Sequence, residues 1–249
     1  MSSALSMPDP GRRFVIMGLP RSGTTYLMTL LNAHHAVFCS GEQFNPRAIV
    51  GIGKKNDDRS TVFDRDSDPV AFMDRFFETQ ATDRAARTGF KFMIGHNVRV
   101  LDAIAARPDL TLIYVHRINK LAQVSSLIKA RKARRWAQSR ADRHIEDKIV
   151  AGPLQISQLW HEFETYDRLF SPWFEALPHR RMAVEYCEMF VPDFNARLCD
   201  FLGIAPDPKM KSPLLKQSAN RPLERFEKPE PIRRYFTRIG RADWLDAEL

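Results

Sequence analysis

The chain has 249 residues and a formal charge of +8, from 38 lysines and arginines against 30 aspartates and glutamates. Its composition, 44% hydrophobic and 27% charged, is that of a globular protein and excludes collagen-like and wholly disordered chains. This length allows one large domain or two small ones. The positive charge favours an anionic partner, although a charge that serves only solubility explains it equally well.

The three cysteines, Cys39, Cys187 and Cys199, are far apart and include no Cys-x-x-Cys pair. They predict neither a disulfide framework nor a zinc site, and they favour a reducing, cytoplasmic setting. Residues 1–12 are polar and contain proline, so we expect a flexible leader there, and no secretory signal because an apolar core is missing. No apolar run is long enough to predict a transmembrane segment.

Short apolar runs alternate with amphipathic segments along the chain. The pattern predicts strands at residues 14–18, 89–94, 110–115 and 182–186, and helices at 24–32, from 72 onward, 98–106, 119–127, 154–177 and 195–202. Residues 51–68 and 205–231 are predicted to be surface loops. Strands that alternate with helices indicate an α/β fold, here a single domain from residue 13 to 249 whose mainly parallel central sheet is flanked by helices.

The first predicted strand and helix are joined by Gly18-Leu-Pro-Arg-Ser-Gly-Thr-Thr25, which we call the phosphate loop. Its Gly-x-x-x-x-Gly frame is typical of P-loop-type sandwiches, where backbone N–H groups and the helix dipole bind an anion. An ordinary strand-to-helix turn is the simpler alternative. The motif predicts a bound phosphate or sulfate, with the following loop residues around it: Arg21, Ser22, Gly23, Thr24 and Thr25.

The phosphate loop differs from the loop of ATP-dependent enzymes. Thr24 follows the second glycine where those enzymes have lysine, and the cation lies inside the loop as Arg21. No predicted buried strand ends in an aspartate suited to Mg²⁺, since residues 110–115 are followed by His116 and Arg117. Polyphosphates normally need a metal ion to offset their charge. We therefore expect metal-independent anion binding, and a small-molecule kinase is the alternative enzyme.

The sequence Pro-Arg-Ser-Gly-Thr-Thr resembles the 5′-phosphosulfate loop of sulfotransferases that use 3′-phosphoadenosine-5′-phosphosulfate (PAPS). Arg117 follows a predicted strand and Ser125 lies eight residues further on, as in the family's pair that holds the nucleotide's 3′-phosphate. Residues 182–203, with Tyr186 among them, and residues 238–244 are similar to two later segments of the family. The loop arginine, where cytosolic members have lysine, looks more like the bacterial carbohydrate and lipopolysaccharide sulfotransferases.

This resemblance implies an enzyme that transfers the sulfonyl group of PAPS to a hydroxyl of a carbohydrate or another small-molecule acceptor. The transfer is expected to be in-line and to need no metal ion, and it leaves adenosine 3′,5′-bisphosphate (PAP) as the second product. The resemblance also implies which residues bind the nucleotide: Arg21, Ser22, Gly23, Thr24, Thr25, Arg117, Ser125, Tyr186, Arg238 and Arg241.

Two residues are candidates for the base that accepts the hydroxyl proton. Glu42 lies in a Gly-Glu segment similar to one in the bacterial carbohydrate enzymes, and His96 follows residues 89–94, where cytosolic relatives place a histidine. A surface carboxylate and a structural imidazole are the plainer interpretations of these two residues. The fork of Arg21 is expected to stabilise charge on the transferring and leaving oxygens. Lys91 is expected to point at substrate or sulfate.

Basic residues are concentrated in residues 129–143. Such a run is most often a solvated helix face, but it also fits an acidic acceptor, membrane headgroups or nucleic acid. Few aromatic residues interrupt it, so stacking on single-stranded nucleic acid is not expected. A nonenzymatic nucleotide- or nucleic-acid-binding module is therefore the second alternative to a sulfotransferase, and we expect no nucleic-acid partner.

Overall fold

The computed structural model describes residues 12–80, 85–133, 148–214 and 219–249. The strands are β1 (Arg13–Gly18), β2 (Val37–Glu42), β3 (Ile49–Val50), β4 (Lys55–Asn56), β5 (Arg87–Met93), β6 (Thr111–His116) and β7 (Arg181–Glu185). Five of them form one parallel sheet in the order β2-β5-β1-β6-β7, while β3 and β4 pair in an antiparallel hairpin.

The α-helices of the described residues surround this sheet. They are α1 (Thr24–Asn32), α2 (Arg59–Ser67), α3 (Pro69–Gln80), α4 (Val98–Ala105), α5 (Lys120–Ala133), α6 (Pro153–Ala176), α7 (Phe194–Leu202) and α8 (Pro229–Arg238). Short 3-10 helices cover Tyr186–Phe190, Pro222–Arg225 and Ala242–Leu245. Within the described ranges, no helix is both long enough and apolar enough to cross a membrane.

The sheet is buried on both faces, and β1 lies at its centre because its side chains are apolar on both sides. Phe14 and Ile16 pack under α1 and α7 on one face, whereas Val15 and Met17 pack under α3, α4 and α6 on the other. A third apolar cluster joins α5, α6 and α8 beside the sheet. The predicted α/β fold with a parallel central sheet flanked by helices is confirmed.

All four predicted strands are present within two residues of their predicted bounds. Because the strands are parallel, their carboxyl ends meet at one edge of the sheet, which is where open α/β sheets bind ligands. The segments that follow β1, β2, β5, β6 and β7 therefore lie together at this edge. They include the phosphate loop, Glu42, His96, Arg117 and Tyr186.

The two predicted loops are partly helical. Residues 51–68 contain β4 and α2, and α2 begins because Asp58 Oδ2 accepts a hydrogen bond of 2.9 Å from the backbone N–H of Thr61. Residues 205–231 contain a 3-10 helix and the first turn of α8, with Leu223 and Phe226 buried. The strand β2 was not predicted. The expected leader, as far as residue 11, and residues 134–143 of the basic run lie outside the described residues.

Candidate active site

The phosphate loop depends on glycine at both ends. A Cβ added to Gly18 would lie 2.6 Å from the carbonyl oxygen of Val115 and 2.7 Å from Ser22 Oγ, so no larger residue fits between β1, β6 and the loop. Gly23, just before α1, has a φ of 109°. Arg21 also has a positive φ, of 65°. Residues in this conformation turn successive N–H groups inward, which makes the loop a concave anion site.

The Ser22 hydroxyl is a buried polar group of the phosphate loop that makes no hydrogen bond to the described residues. Its side chain is 1% exposed, and Oγ has no hydrogen-bond partner among the described residues. Buried hydroxyl groups are almost always hydrogen-bonded, so a donor left open in an anion-binding loop fits a bound phosphate or sulfate. The other two hydroxyl groups are engaged, since Thr24 Oγ1 donates to Met93 Sδ at 3.8 Å and Thr25 Oγ1 accepts from Lys91.

The side chain of Arg21, a residue of the phosphate loop, is bound to α5. Its Nε donates a hydrogen bond of 2.9 Å to Ser126 Oγ, a residue that the sequence analysis did not select. Burial, followed by the positive charge of Arg117, lowers the pKa of Arg21 to about 10. The guanidinium therefore stays charged at neutral pH and supplies a cation at the mouth of the loop.

Lys91 connects the loop to Glu42. Its Nζ donates 2.8 Å to Thr25 Oγ1 and lies 2.8 Å from Glu42 Oε1. A β-bulge makes this possible, because the register of β2 on β5 shifts after Ser40 and places Glu42, in place of Gly41, opposite Lys91. The structure thus joins the phosphate loop and one candidate base through a single buried ammonium group.

The Glu42 carboxylate is bound at both oxygens, since Oε2 accepts a hydrogen bond of 2.7 Å from Asn45 Nδ2. Burial alone would raise the pKa of Glu42, but the charge of Lys91 and the hydrogen bonds from Lys91 and Asn45 lower it below its ordinary value. His96 lies within electrostatic reach of Glu42, and burial lowers the pKa of His96 against the opposing effect of the Glu42 charge. Both candidate bases therefore share one site, with Glu42 ionised at neutral pH.

A cluster formed by Arg117, Ser125 and Arg225 lies beside the loop, and we call it the second anion site because its Arg117 pairs with a carboxylate. Arg117 Nη1 donates 3.1 Å to the carbonyl oxygen of Arg21, and the ring of Tyr186 covers the Arg117 guanidinium at 4.2 Å. Ser125 Oγ accepts a hydrogen bond of 2.8 Å from Arg225 Nη1. Arg225 also lies within electrostatic reach of Arg117, so both predicted residues, Arg117 and Ser125, border this additional arginine.

Arg225 is the main residue of this site that sequence reasoning missed. It is 5% exposed, and its Nη2 is buried without a partner among the described residues. Burial, followed by the charge of Arg117, lowers the pKa of Arg225 to about 10. The signal available in the sequence was the apolar pair that flanks it, Leu223 and Phe226, which argues against an exposed loop.

The chain places its own carboxylate on the second anion site. Arg117 Nε donates 2.6 Å to Glu248 Oε1, and Arg117 Nη2 donates to Glu248 Oε2, so the pair is bidentate. Both side chains are almost completely buried. Cys187 Sγ also donates to the backbone carbonyl oxygen of Glu248 at 3.1 Å. An anion held by the Arg117 fork must therefore take the place of this carboxylate.

Arg238 and Arg241 are not brought to the second anion site. Arg238 is exposed in the last turn of α8. Arg241 Nη2 donates 2.9 Å to Asp243, and its guanidinium stacks over Trp244 beside a cavity of about 350 Å³ that His116 also lines. The binding role that the resemblance implies for these two arginines stays a prediction, and Arg225 is a further candidate for the same role.

Among the described residues, one group of potential metal ligands lies apart from this site. His34, His35 and Asp207 bring ligand atoms within 4.8 Å of one another. However, His34 Nδ1 accepts from the N–H of Ala36 and Nε2 bonds the carbonyl oxygen of Ala205 at 2.8 Å, so both of its ring nitrogens are used. The group is a structural link between the end of α1 and the segment after α7.

An anion-binding loop after the central strand of a parallel sheet, with a carboxylate tied to it, defines a group-transfer enzyme of the P-loop type. The sequence profile described as "Sulfotransferase family" matches residues 13–208. This match covers most of the chain, and the protein belongs to the sulfotransferase family. The prediction drawn from the phosphate loop and the Arg117-x₇-Ser125 spacing is confirmed, and it replaces the kinase and binding-module alternatives.

Curated relatives agree in length with the chain. Nodulation protein H of Rhizobium meliloti (strain 1021) is 24% identical over 221 residues, which cover 86% of this chain and 87% of the relative. Nodulation protein H of Rhizobium tropici is 27% identical over 195 residues, covering 77% and 73%. Among solved structures, the sulfotransferase from Alicyclobacillus acidocaldarius superposes with a TM-score of 0.49 at 15% identity, covering 95% of each chain.

Proposed function

We propose that the protein transfers the sulfonyl group of PAPS to a hydroxyl of a carbohydrate or another small-molecule acceptor. The observation that carries this proposal is the presence of two adjoining anion sites, joined by the hydrogen bond from Arg117 Nη1 to the carbonyl oxygen of Arg21. A nucleotide with anions on both its 5′ and its 3′ side supplies one group to each site. ATP, whose phosphates form a single chain, has no anion for the second.

In the proposed reaction the acceptor hydroxyl oxygen attacks sulfur while the bond between sulfur and the 5′-phosphate oxygen breaks. The hydroxyl proton goes to the Glu42 carboxylate, and PAP leaves with the bonding electron pair. Arg21, Ser22 Oγ and the N–H groups of the phosphate loop stabilise the charge on the leaving phosphate. That phosphate is a weak base, so the reaction needs no general acid.

Glu42 is favoured over His96 as the base because it is connected to the phosphate loop. Lys91 donates to Thr25 Oγ1 and pairs with Glu42 Oε1, so the carboxylate has a fixed position relative to the loop. A fixed position of this kind is what proton removal in the transition state requires. His96 Nδ1 is buried without a partner among the described residues, and we assign His96 the role of a neutral neighbour.

We infer that the transfer needs no metal ion, because the chain's own cations occupy the positions where charge must be offset. Arg21 lies at the phosphate loop, Lys91 bridges the loop and the base, and Arg117 and Arg225 line the second anion site. The carbohydrate acceptor rests on the resemblance of the loop arginine and the Gly41-Glu42 segment to the bacterial carbohydrate enzymes.

We also infer a cytoplasmic location. Cys39 and Cys199 are buried free thiols in the apolar core, a state that suits a reducing compartment. Cell fractionation with an antibody tests this inference, and recovery of the protein from an oxidising compartment would contradict it.

Calorimetric titration with PAP and with ADP, first in EDTA and then with Mg²⁺, tests the proposed donor. We expect PAP to bind in EDTA at least about tenfold more tightly than ADP, since only PAP offers a 3′-phosphate to the second anion site. Arg225→Met should remove most of that preference, whereas Arg234→Ala, at an exposed arginine of α8 outside the predicted site, should not. Equal binding of PAP and ADP, or a requirement for Mg²⁺, would contradict the proposal.

A further inference from the structure

We propose that Arg65 is a positioning residue for the Glu42 carboxylate, an inference that rests on the proposed role of Glu42 as the base. Arg65 lies in α2, a segment whose polar sequence gave no sign of a buried site. Its side chain is 1% exposed and is among the largest fully buried side chains of the described residues. An arginine buried this deeply must have its donors satisfied inside the protein.

The Arg65 guanidinium donates hydrogen bonds to the backbone of the turn formed by residues 43–48. Its Nη1 donates to the carbonyl oxygens of Gln43 at 3.0 Å and Asn45 at 2.9 Å, with that of Ala48 at 3.4 Å. On its other side, Nε donates 2.9 Å to Asp66 Oδ1. Three carbonyl oxygens of a six-residue turn thus converge on one nitrogen, so the path of the turn depends on this cation.

Asn45 connects the turn to Glu42 through hydrogen bonds. While its carbonyl oxygen accepts from Arg65, its side-chain Nδ2 donates 2.7 Å to Glu42 Oε2. Its Oδ1 accepts a hydrogen bond of 2.9 Å from the N–H of Arg47, which fixes the orientation of the amide with the NH₂ group toward Glu42. The Asn45 amide that donates to Glu42 is therefore oriented by the turn, and Arg65 stabilises that turn.

The two oxygens of Glu42 are supported by different parts of the fold. Oε1 is paired with Lys91 on the central strand β5, whereas Oε2 depends on the turn that Arg65 closes. The titratable groups that face this site are Lys91 and the neutral His96 beside the carboxylate, and Arg65 behind the turn. Loss of Arg65 should break the hydrogen bond from Asn45 Nδ2 to Glu42 Oε2. The carboxylate, held only by its ion pair with Lys91, could then rotate.

A purely structural role for Arg65 predicts a different outcome. In that case its removal lowers stability and leaves the titration of Glu42 unchanged. A positioning role predicts that the pKa of Glu42 rises toward its ordinary value, because the hydrogen bond from Asn45 to the charged form is lost. The two roles are therefore separated by the titration of one carboxyl group.

The experiment records the ¹³C shift of the Glu42 carboxyl group against pH in the full-length protein, with its signal assigned from Glu42→Gln. We expect Arg65→Met and Asn45→Ala each to raise the pKa of Glu42, and Arg65→Lys to restore part of the wild-type value. In the double variant the two effects should not add, because both act through one hydrogen bond. Asn45→Ala keeps the test valid if Arg65→Met does not fold.

An unchanged Glu42 titration in Arg65→Met and Asn45→Ala would overturn the proposal, and so would strictly additive effects in the double variant. PAP affinity, measured by calorimetry on the same proteins, should stay within about twofold of the wild type. Failure of PAP to bind the wild type would contradict the proposed function instead, so the two failures are distinguishable. With an acceptor in hand, Arg65→Met should lower kcat by about 100-fold without changing the KM for PAPS.

Discussion

Arg21 combines a charged side chain with a backbone conformation that suits glycine. A left-handed φ such as its 65° costs a residue with a side chain about 1–2 kcal/mol. Backbone strain of this kind persists only where the surrounding structure enforces it, and it is common at active sites. Here it lets the guanidinium reach Ser126 while the backbone follows the phosphate loop.

Two substitutions at Arg21 separate the backbone from the side chain. We expect Arg21→Gly to be more stable than Arg21→Ala by about 1 kcal/mol, because glycine adopts the left-handed region without cost. Both variants should lose sulfonyl transfer, since both lack the cation. Urea unfolding measures the first effect. Equal stabilities of the two variants would show that the loop relaxes when the guanidinium is removed.

Glu42 links stability to pH. Its pKa in the folded protein lies below the ordinary value of 4.5, so the charged carboxylate adds stability that is fully present above about pH 4.5. This contribution is lost as the pH falls through the folded pKa. The stability advantage of the wild type over Glu42→Gln should therefore be greatest near neutral pH and shrink in acid, as measured by urea unfolding. A difference that does not change with pH would contradict the ion pair with Lys91.

At the scale of elements, the bulge in β2 decides which side chain faces the loop. A Cβ on Gly41 would lie 2.7 Å from the carbonyl oxygen of Val50, so Gly41→Ala must displace the β3-β4 hairpin or the bulge. We expect a loss of about 1–3 kcal/mol in unfolding free energy. Gly51→Ala is the matched control in the same hairpin, since its nearest neighbour would be an ordinary 3.7 Å away. Similar losses in the two variants would show that the bulge is not a tight packing point.

The elements that the sequence predicts have apolar patterns, whereas the elements that it does not predict are more polar. The strands β1, β5 and β6 are continuous apolar runs because both faces of the sheet are covered. By contrast, β2 ends in Ser40, Gly41 and Glu42, and its place at the sheet edge is decided by pairing with β5. The polar helix α2 is stabilised by its Asp58 cap and by the buried Arg65, neither of which produces an apolar period.

Residues of the candidate site also differ in how far the sequence predicts them. Arg117 and Ser125 were predictable because their spacing resembles that of the family's pair. Arg117 follows a strand, and Ser125 lies in the first turns of the next helix. Arg225 is 100 residues from Ser125 in the chain, and only the packing of the segment after α7 against α5 brings them together. Local patterns reveal contacts within one element or its neighbours, whereas long-range contacts depend on the whole fold.

At the scale of the molecule, the pair of Arg117 and Glu248 joins residues 131 positions apart in the chain. Removal of the internal carboxylate should free the arginine fork for the 3′-phosphate of PAP. We expect Glu248→Gln to bind PAP at least about tenfold more tightly than the wild type, in calorimetry at equal ionic strength. Asp246→Asn, an exposed site with the same change in charge, is the control. Weaker binding would show that Glu248 holds Arg117 in place for the nucleotide.

The pairing of Arg117 with Glu248 also has a consequence for the rate of the catalytic cycle. A carboxylate attached to the same chain returns to the arginine fork at a rate that does not depend on the concentration of any solute. In the proposed reaction it therefore favours departure of the bisphosphate product after each transfer, and product release limits turnover in many enzymes. An enzyme without this carboxylate would hold its donor more tightly and turn over more slowly, because the spent nucleotide would remain on Arg117 for longer.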